Sequence, residues 1–473
     1  MSNELTLNTM KRICIIMVLL LTGIVAEAQT SVWDGSRKLW TRGEGTADNP
    51  YLIESAEHLA FLSYMVNKNF DTQGLYFRLT TDIDLNGSEG QPWKPIGLYD
   101  RGFDEDGCDR GNLNSTGYGP RTMFRGHLDG GGHVISNIYV DNGGGYAGLF
   151  GYADSWTDED VVIENLWVSN GYIHGSTCGG IVGQGSRVVV SYCRNGADIE
   201  GSKVGGILGS GGATVHRCSN VGRLTGSDVG GIVGGMSEAA AAVTECFNDG
   251  DITASRIGGG ILCSSARATI DNCYNTGTVA AVGDSAAFYP VAGGLVGAAM
   301  YNGTEVSNSY NVGDVSGNHH VGCLLGYVAS PEAVSFENCF YLNDCYDSEY
   351  GTSKSAEEMR DEAFVNVLNQ GNAVWGFDQN NVNDGFPVLV RTNLSVNSHV
   401  EKDLTVYPNP TNGMVNIEGV EVAQVQVYNI LGQTVRTYNN TNRINVGDLP
   451  KGVYLLRITD KEGKTFMENT IKE

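Results

Sequence analysis

Short apolar segments framed by glycine recur at nearly constant spacing along the middle of the chain. The pattern Gly-Gly-aliphatic-aliphatic-Gly, with small departures in three copies, occupies residues 147–151, 179–183, 205–209, 230–234, 259–263, 293–297 and 322–326. Measured at the residue before each aliphatic pair, successive copies are 32, 26, 25, 29, 34 and 29 residues apart. Such a period indicates a repeat architecture.

A second pattern, aliphatic-x-x-Cys-x-Asn-x-Gly-x-aliphatic, alternates with the first at the same period. It is clearest at residues 215–224, 243–252 and 270–279, and Ser309 replaces the cysteine at 306–315. The recurring residues are Cys193, Cys218, Cys246 and Cys273, and Asn195, Asn220, Asn248, Asn275 and Asn311. We expect each series to form a structural ladder in which equivalent side chains of successive repeats stack.

These repeats predict an all-β chain folded as a right-handed parallel β-helix, or solenoid. A helical repeat would place glycines inside helices at a cost of about 1 kcal/mol each, whereas tight corners between strands favour glycine. Parallel crossovers are nearly always right-handed. Coils stacked at about 4.8 Å would direct the cysteines and the aliphatic pairs inward and place the asparagines at a corner with left-handed backbone.

Both ends of such a stack need a cover, because open strand edges promote association. The sequence predicts a short capping helix near residues 55–66 and a second helical segment over residues 355–369. Their apolar faces contain Leu59, Leu62 and Met65 in the first helix and Met359, Phe364 and Leu368 in the second. From residue 391 the composition changes to a short linker rich in Ser, Asn and Thr, and the strand patterns after it predict a small C-terminal β-sandwich.

The Gly-Gly-Ile-Val-Gly units resemble the GLUG motif, a Gly-rich repeat of exported bacterial surface proteins. The preceding region, with Pro-Tyr-Leu-Ile at 50–53 and Trp-Lys-Pro-Ile-Gly at 93–97, resembles the module that comes before such repeats. This resemblance implies an architecture rather than an activity, since related repeats occur in adhesins and as accessory parts of larger proteases. The zinc-protease motif His-Glu-x-x-His is absent from the sequence.

The C-terminal unit resembles the type A sorting domain of type IX secretion cargo in Bacteroidetes. The resemblance rests on Tyr-Pro-Asn-Pro at 407–410, Tyr-Asn-Ile-Leu-Gly-Gln at 428–433 and Leu-Pro-Lys-Gly-Val-Tyr at 449–454. It implies that residues 404–473 engage the type IX translocon and its sortase. It also implies cleavage near residues 391–403, followed by attachment to surface lipopolysaccharide or release.

A leader precedes these units. Lys11 and Arg12 are followed by an apolar run and then by Ala-Glu-Ala at 26–28, the pattern of a cleaved signal peptide. No other apolar run approaches the roughly 18 residues that a transmembrane segment needs. The predicted units are a signal peptide (1–28), an N-terminal cap with the first coils (29–145), the GLUG-type repeat β-helix (146–341), a C-terminal cap (342–390), a linker (391–403) and the sorting domain (404–473).

The composition of the chain argues against some classes of partner and of fold. The chain carries 54 acidic against 30 basic residues, for a formal net charge of −24, which argues against nucleic acid as a partner. The 65 glycines show no collagen period.

Ladder cysteines one coil apart would be too distant for disulfides, so we expect free, buried thiols. Cys339 and Cys345, at the edge of the repeats, are the pair that most merits a disulfide test.

Candidate chemistry is sparse. Asp104, Asp106 and Asp109 could supply oxygen ligands to Ca²⁺, with a solvated acidic loop as the alternative; no other cofactor is expected. Asp198 and Asp251 recur after the asparagine corners, and stacked carboxylates on a β-helix can cleave glycosidic bonds. The alternative for this pair is a soluble outer face, because Arg223 falls between the two aspartates.

Aromatic residues near the first coils could form a platform on which sugars stack. Trp93, Tyr99, Phe103 and Tyr118 are the candidates, with packing over the N-terminal cap as the alternative. We therefore expect a non-catalytic, adhesin-like binding protein at the outer-membrane surface or outside the cell, exported through the periplasm. Its ligand would be a glycan or a host protein. The competing hypothesis is a carbohydrate-active β-helix enzyme, either a polysaccharide lyase or a glycoside hydrolase.

Overall fold

The computed structural model shows a parallel β-solenoid of about nine turns followed by antiparallel sheets, which confirms the predicted fold class. The structure describes residues 30–98, 122–155, 157, 159–236, 241–265, 267–283, 289–300, 303–345, 348–378, 381–390, 405–429, 434–461 and 465–472. The helices within these ranges are α1 (Ala56–Asn67), α2 (Ala356–Met359) and α3 (Glu362–Asn369), with a 3₁₀ turn at Pro331–Ala333.

Short strands build the solenoid and its caps. The first coils contain β1 (Ser31–Val32), β2 (Tyr51–Ile53), β3 (Tyr76–Leu79), β4 (Ile83–Asp84), β5 (His127–Ser136), β6 (Ile138–Ala147), β7 (Phe150–Asp154) and β8 (Val161–Val168). The middle coils contain β9 (Gly171–Gly179), β10 (Val182–Ser191), β11 (Arg194–Asn195), β12 (Asp198–Gly205), β13 (Leu208–His216), β14 (Ser219–Asn220), β15 (Leu224–Gly230), β16 (Ala241–Thr244), β17 (Phe247–Asn248) and β18 (Ile252–Gly259). The last coils and the C-terminal cap contain β19 (Leu262–Ser265), β20 (Ala268–Asp271), β21 (Tyr274–Asn275), β22 (Val279–Ala281), β23 (Val291–Gly293), β24 (Val296–Ala299), β25 (Thr304–Ser307), β26 (Tyr310–Asn311), β27 (Val315–Gly317), β28 (His320–Gly322), β29 (Leu325–Val328), β30 (Val334–Glu337), β31 (Phe340–Leu342), β32 (Thr352–Lys354), β33 (Trp375–Gly376) and β34 (Val388–Leu389).

Each residue of a coil pairs with its counterpart in the next coil. One side of the solenoid is a 20-stranded sheet, another is a nine-stranded sheet, and a three-stranded sheet covers the later coils. Within the nine-stranded sheet, Ile199 lies opposite Leu224, and Leu224 lies opposite Ile252. Equivalent sequence positions therefore stack in parallel register, which is why the two patterns share one period.

The first aliphatic residue after each Gly-Gly pair lies in one continuous core. These residues are Ile181, Ile207, Ile232, Ile261 and Leu295, all fully buried. Burying such a side chain contributes about 1.5–3 kcal/mol, so every coil adds a similar apolar contribution.

The ladder asparagines form a continuous row of side-chain hydrogen bonds. From Asn195 through Asn220, Asn248 and Asn275 to Asn311, each Nδ2 donates to Oδ1 of the next asparagine at 2.7–2.8 Å. Every Nδ2 in the row also donates to the carbonyl oxygen two residues further on, at 2.8–2.9 Å. All five side chains are buried, and their amides are hydrogen-bonded within the protein.

The ladder cysteines lie two residues before the asparagines and are also buried. The thiols of Cys193, Cys218, Cys246 and Cys273 each donate to the carbonyl oxygen two residues earlier, at 3.2–3.4 Å. Ser309 makes the same contact, from its Oγ to the carbonyl of Ser307 at 2.6 Å. A small hydrogen-bonding side chain is thus the shared requirement at this position.

Left-handed backbone lies three residues before each ladder asparagine, so the prediction that the asparagines themselves occupy it is wrong. Tyr192, Arg217, Glu245, Asn272 and Asn308 have φ values of 48–54°. The chain turns at these positions, just before each inward cysteine or serine. The asparagine instead supports the turn that follows it, through bonds from its side chain to the residue two positions on.

The second glycine of each pair packs directly against the asparagine ladder. A Cβ atom on Gly231 would lie 2.6 Å from Asn248 and 1.9 Å from the carbonyl oxygen of Gly260. A Cβ atom on Gly260 would lie 2.6 Å from Asn275 and 2.0 Å from the next coil's backbone oxygen. The two sequence patterns are therefore the two sides of one packed corner.

The N-terminal cap agrees with the pattern that predicted it. Ser55 is the N-cap of α1, and its hydroxyl accepts a hydrogen bond from the His58 N–H. Leu59 and Leu62 are fully buried in the main core, while Met65 is half-buried. Helix α1 therefore covers the first coil through its predicted apolar face.

The C-terminal helices cover a flank of the last coils rather than the open end. Met359, Phe364 and Leu368 are buried as predicted, but they pack in a separate cluster with Tyr310 and Trp375. Tyr310 lies between the inward Ser309 and Asn311, so its ring points outward. The prediction that these helices close the end of the stack is wrong, because their apolar residues pack on this outward aromatic surface.

A disulfide joins Cys323 to Cys345, at the last coil of the solenoid. Of the pair singled out for a disulfide test, Cys345 is bonded to Cys323 instead, and Cys339 keeps a free, buried thiol. Cys323 takes the place of the second glycine of the last Gly-Gly pair, and among the described residues no later strand pairs with β29. Tyr350 packs on Phe336 next to the disulfide, with ring centroids 5.3 Å apart, and helps to cover the end.

The C-terminal unit is a small sandwich of two antiparallel sheets. Its strands are β35 (Thr405–Tyr407), β36 (Met414–Glu418), β37 (Val422–Tyr428), β38 (Thr434–Asn439), β39 (Arg443–Asn445), β40 (Gly452–Asp460) and β41 (Thr465–Lys472). One sheet has the order β35-β36-β39 and the other β38-β37-β40-β41. Their facing residues, including Val415, Val425, Ile444 and Leu456, form one buried cluster.

Candidate functional surface

The outward side of β6, β9 and β12 carries two adjacent rows of aromatic and ionisable side chains. In the first row, Tyr139 pairs with Tyr172, which pairs with Asp198. Two residues along each strand, Asp141, His174 and Glu200 form the second row. The intervening residues of β6, β9 and β12 are buried, so strand alternation directs both rows to solvent. These six residues are called the aromatic face below.

One hydrogen bond connects the two rows, and another lies within the second row. The Tyr172 hydroxyl donates to Glu200 Oε2 at 2.9 Å, and His174 Nδ1 lies 2.8 Å from Asp141 Oδ1. The rings of Tyr139 and Tyr172 are 5.9 Å apart at an angle of 37°. The tyrosines are half-buried, whereas Asp198 and Glu200 are exposed. The face therefore offers fixed apolar ring surfaces beside carboxylates that can accept hydrogen bonds.

The surroundings also fix the charge states of the tyrosines. Partial burial, together with the hydrogen bond to Glu200, raises the pKa of Tyr172 to about 12. Partial burial and the charges of Glu89 and Asp141 raise the pKa of Tyr139. Both hydroxyls stay protonated at neutral pH, so they act as hydrogen-bond donors rather than as bases.

The two aspartates proposed for catalysis lie in the first row, two coils apart. Asp198 Oδ1 accepts a hydrogen bond from the backbone N–H of Arg223 at 3.0 Å. Asp251 Oδ1 accepts one from the backbone N–H of Thr278 at 3.2 Å. Each carboxylate thus ties one coil to the next, and Arg223 stands between them in the row. The structure gives both residues a structural contact and does not bring them together.

The predicted sugar platform is only partly within the described residues. Trp93 is 2% exposed, its Nε1 donates to the Leu149 carbonyl, and its ring meets Trp33 edge-on at 5.6 Å. Its ring is therefore not available to a ligand. Tyr99, Phe103 and Tyr118 lie outside the described residues, as do the calcium candidates Asp104, Asp106 and Asp109. Among the residues that are described, no group of three or more His, Cys, Asp or Glu could hold a metal ion.

A second set of exposed rings lies near the last coils. Tyr289 is 59% exposed and lies 4.5 Å from the ring of His319. Tyr327 is also exposed and lies 5.5 Å from His320. No carboxylate contact accompanies these rings among the described residues, so the aromatic face has the more complete set of groups for binding.

The sequence interpretation missed Tyr139, Tyr172 and Glu200. The row of Asp198, Arg223 and Asp251 was recognised from the Cys-x-Asn repeats, but the two tyrosines continue this row into coils that lack that motif. Aligning Ile-Tyr-Val at 138–140 and Tyr-Ile-His at 172–174 with Asp-Ile-Glu at 198–200 would have revealed them.

Comparison with known proteins identifies the C-terminal unit. Residues 405–473 match the family described as "Secretion system C-terminal sorting domain". This match implies that the chain is exported to the cell surface or secreted and that its tail interacts with the type IX secretion machinery. Within the part of the chain that the structure describes, no helix is both long enough and apolar enough to cross a bilayer.

Two curated relatives match about a third of the chain. One is a provisionally named Gly-rich membrane protein of Evansella cellulosilytica, 33% identical over 166 residues, which are 34% of this chain and 15% of that protein. The other is Halomucin of Haloquadratum walsbyi, 32% identical over 141 residues, which are 30% of this chain and 1% of that protein. The chain thus spans a small fraction of the length of these relatives.

Two solved structures align with parts of the chain. A provisionally assigned immunoglobulin A1 protease from Bacteroides ovatus aligns with 76% of this chain and 97% of its own, at 21% identity and a TM-score of 0.44. An IgA1 protease aligns with 65% of this chain and 22% of its own, at 14% identity and a TM-score of 0.35. Similarity at this level carries no argument about activity.

Proposed function

We propose that this protein is a non-catalytic, adhesin-like binding protein of the cell surface or the surrounding medium, and that the aromatic face binds a glycan. The observation that supports this function is the juxtaposition of Tyr139 and Tyr172 with the carboxylates of Asp198 and Glu200. Tyrosine rings offer apolar faces to pyranose rings, and carboxylates accept hydrogen bonds from sugar hydroxyls.

The arrangement favours a neutral or cationic glycan. Asp141, Asp198 and Glu200 concentrate negative charge on the face, within a chain of net charge −24. A polyanionic ligand would be repelled. The face lies on regular strands of the solenoid, so binding would require little reorganisation of the protein.

The test measures binding of the full chain to a panel of neutral and amino-sugar polysaccharides by isothermal titration calorimetry. We expect Tyr172→Ala to weaken binding at least tenfold, because it removes one ring and the donor to Glu200. The matched control is Tyr192→Ala, since Tyr192 is a half-buried tyrosine that packs on His216 on a different sheet. Equal affinity of both variants, or binding only to a protein from a host-protein array, would contradict the glycan proposal.

A polysaccharide lyase or hydrolase remains the second candidate function, favoured by one observation. Asp198 and Glu200 are both exposed and lie two residues apart on the same side of β12, beside Tyr172. Two carboxylates flanking a sugar are the usual requirement for glycosidic cleavage. New reducing ends or unsaturated products from the same polysaccharides, lost in both Asp198→Asn and Glu200→Gln, would establish the enzyme and overturn the non-catalytic proposal.

We also infer the route of maturation. The signal peptide would be removed before Gln29 during export to the periplasm. The type IX sortase would then cleave within residues 391–403 and attach the GLUG-type β-helix to surface lipopolysaccharide or release it. Intact mass measurement of protein isolated from the producing cells tests this route. A mature protein that still contains residues 404–473 would contradict the cleavage.

A further inference from the structure

An arginine of the C-terminal sandwich is buried against the first coils of the solenoid. Arg457, on β40, is only 4% exposed. Its Nη1 donates to Asp82 Oδ1 at 2.8 Å, and its Nη2 contacts both ring nitrogens of His133, Nδ1 more closely than Nε2. Both of these residues belong to the solenoid, 375 and 324 residues away in sequence. A buried cation with two polar partners on another unit is characteristic of a recognition contact.

The solenoid residues of this contact are also held by hydrogen bonds within the solenoid. Asp82 Oδ1 accepts the backbone N–H of Val134 at 3.0 Å and lies 3.1 Å from His133 Nδ1. Trp167 is buried next to it and meets the Tyr428 ring of the sandwich edge-on at 5.9 Å. Asp82, His133 and Trp167 thus form a small recess of one carboxylate, one imidazole and one indole, called the arginine site below.

His133 lies between the carboxylate of Asp82 and the guanidinium of Arg457 and is neutral in the docked form. A second positive charge on the ring would oppose the guanidinium that contacts both of its nitrogens. Burial and the positive charge of Arg457 lower the pKa of His133 to about 4. Burial alone would raise the pKa of Asp82, but the bond from His133 and the charge of Arg457 outweigh it and lower that pKa to about 2.

We propose that the arginine site is a guanidinium-binding site of the solenoid that the chain's own sorting domain occupies through Arg457. The ligand class is an arginine side chain, since the site offers a carboxylate and an imidazole acceptor to two different guanidinium nitrogens. This contact docks the C-terminal unit on the first coils of the solenoid. This proposal does not depend on the glycan proposed for the aromatic face.

Chemical rescue in the full chain tests the guanidinium specificity. Arg457→Ala removes the side chain and leaves the recess empty. We expect the radius of gyration from small-angle X-ray scattering to rise as the sandwich undocks. Ethylguanidinium should restore the wild-type value in a saturable manner, while ethylammonium at the same concentration should not. Rescue by both cations alike would overturn the proposal, because a simple charge would then suffice.

A variant on the solenoid side separates docking from the internal stability of the sandwich. Arg457 also contacts Gln426 and Tyr428 of its own unit, so Arg457→Ala could destabilise the sandwich itself. Asp82→Asn leaves the sandwich unchanged and should produce the same undocking. In the Asp82→Asn, Arg457→Ala double variant, ethylguanidinium should have no effect. A wild-type radius of gyration for Asp82→Asn would overturn the proposal. The matched control is Asp71→Asn, which removes an exposed carboxylate paired with Arg125.

Docking should also depend on pH in a direction set by His133. The ionisable groups around it are Asp82, Arg457 and Tyr428, with Arg78 and its ion-pair partner Asp129 next to them. The docked form requires neutral His133, and undocking removes the charge of Arg457 that lowers the pKa of this ring. Protonation therefore favours the undocked form, and docking weakens as the pH falls towards 4. An unchanged radius of gyration between pH 7 and pH 4 would contradict the assignment.

Discussion

Each ladder asparagine satisfies backbone groups that a tight corner would otherwise leave buried and unpaired. Asn248, for example, donates to the Gly250 carbonyl, accepts the Gly250 N–H at 3.3 Å and bonds to both neighbouring ladder amides. No other side chain of this size has a donor and an acceptor at the ends of one planar group. A shorter, charged or apolar residue would leave several of these groups unpaired.

Replacing Asn248 with alanine should therefore be strongly destabilising. We expect the variant to lower the free energy of unfolding by about 3 kcal/mol, because a buried polar group left without its bond costs about 1–3 kcal/mol. Urea denaturation followed by circular dichroism provides the measurement. Thr253→Ala, an exposed position on the next strand, should change stability by less than about 0.5 kcal/mol. Similar effects of the two substitutions would contradict the role given to the ladder.

At the residue scale, the sequence predicted which side chains stack but not the backbone between them. The Cys-x-Asn spacing identified the ladders, since a repeated buried polar residue needs a repeated partner. It could not reveal that the left-handed residues are Tyr192, Arg217 and Glu245, because these three side chains have nothing in common. Their φ values follow from the path of the corner, which the stacked coils impose whatever residue is present.

The C-terminal cap is the element whose packing the local sequence pattern predicted least well. Helix α3 was predicted from its apolar face, but the surface it covers depends on Phe247, Tyr274 and Tyr310, whose rings stack 4.9 and 5.2 Å apart on the flank. This aromatic row follows from the position between each inward cysteine or serine and the asparagine. The end of the stack is covered instead by the chain around the disulfide.

The disulfide should stabilise that end. Cys345→Ser is expected to lower the free energy of unfolding by about 3 kcal/mol, since the bond closes a loop with a sequence separation of 22 residues. Thermal denaturation with and without dithiothreitol measures the effect. The reductant should lower the midpoint of the wild-type protein and leave that of Cys345→Ser unchanged.

Cys339→Ser is the matched control for the disulfide. Its thiol is free and donates to the Glu337 carbonyl at 3.3 Å, a contact that Ser309 already makes at the equivalent position one coil earlier. We expect a change of less than about 1 kcal/mol. If the control proved as destabilising as Cys345→Ser, loss of a buried sulfur rather than loss of the cross-link would explain both results.

At the scale of the whole molecule, the solenoid is a one-dimensional stack in which each coil contacts only its neighbours. The main core runs from Trp33 to Tyr341, and the ladder hydrogen bonds join each coil to the next. Stability is then close to a sum of coil and interface contributions. The arginine site lies on the first coils and the aromatic face on β6, β9 and β12, so the binding properties of both should depend weakly on changes made near the disulfide.

This architecture predicts a gradient of hydrogen exchange along the chain. Coils with a neighbour on each side should open least often, so backbone amides at 215–252 should exchange more slowly than those at 320–342, which border the end of the stack. Asn248→Ala should accelerate exchange most at the adjacent ladder strands, β14 and β21, and leave β36 of the sandwich unchanged. Exchange followed by mass spectrometry resolves these peptides. Uniform acceleration across the solenoid would contradict this expectation, because it would show that all coils open together as one cooperative unit.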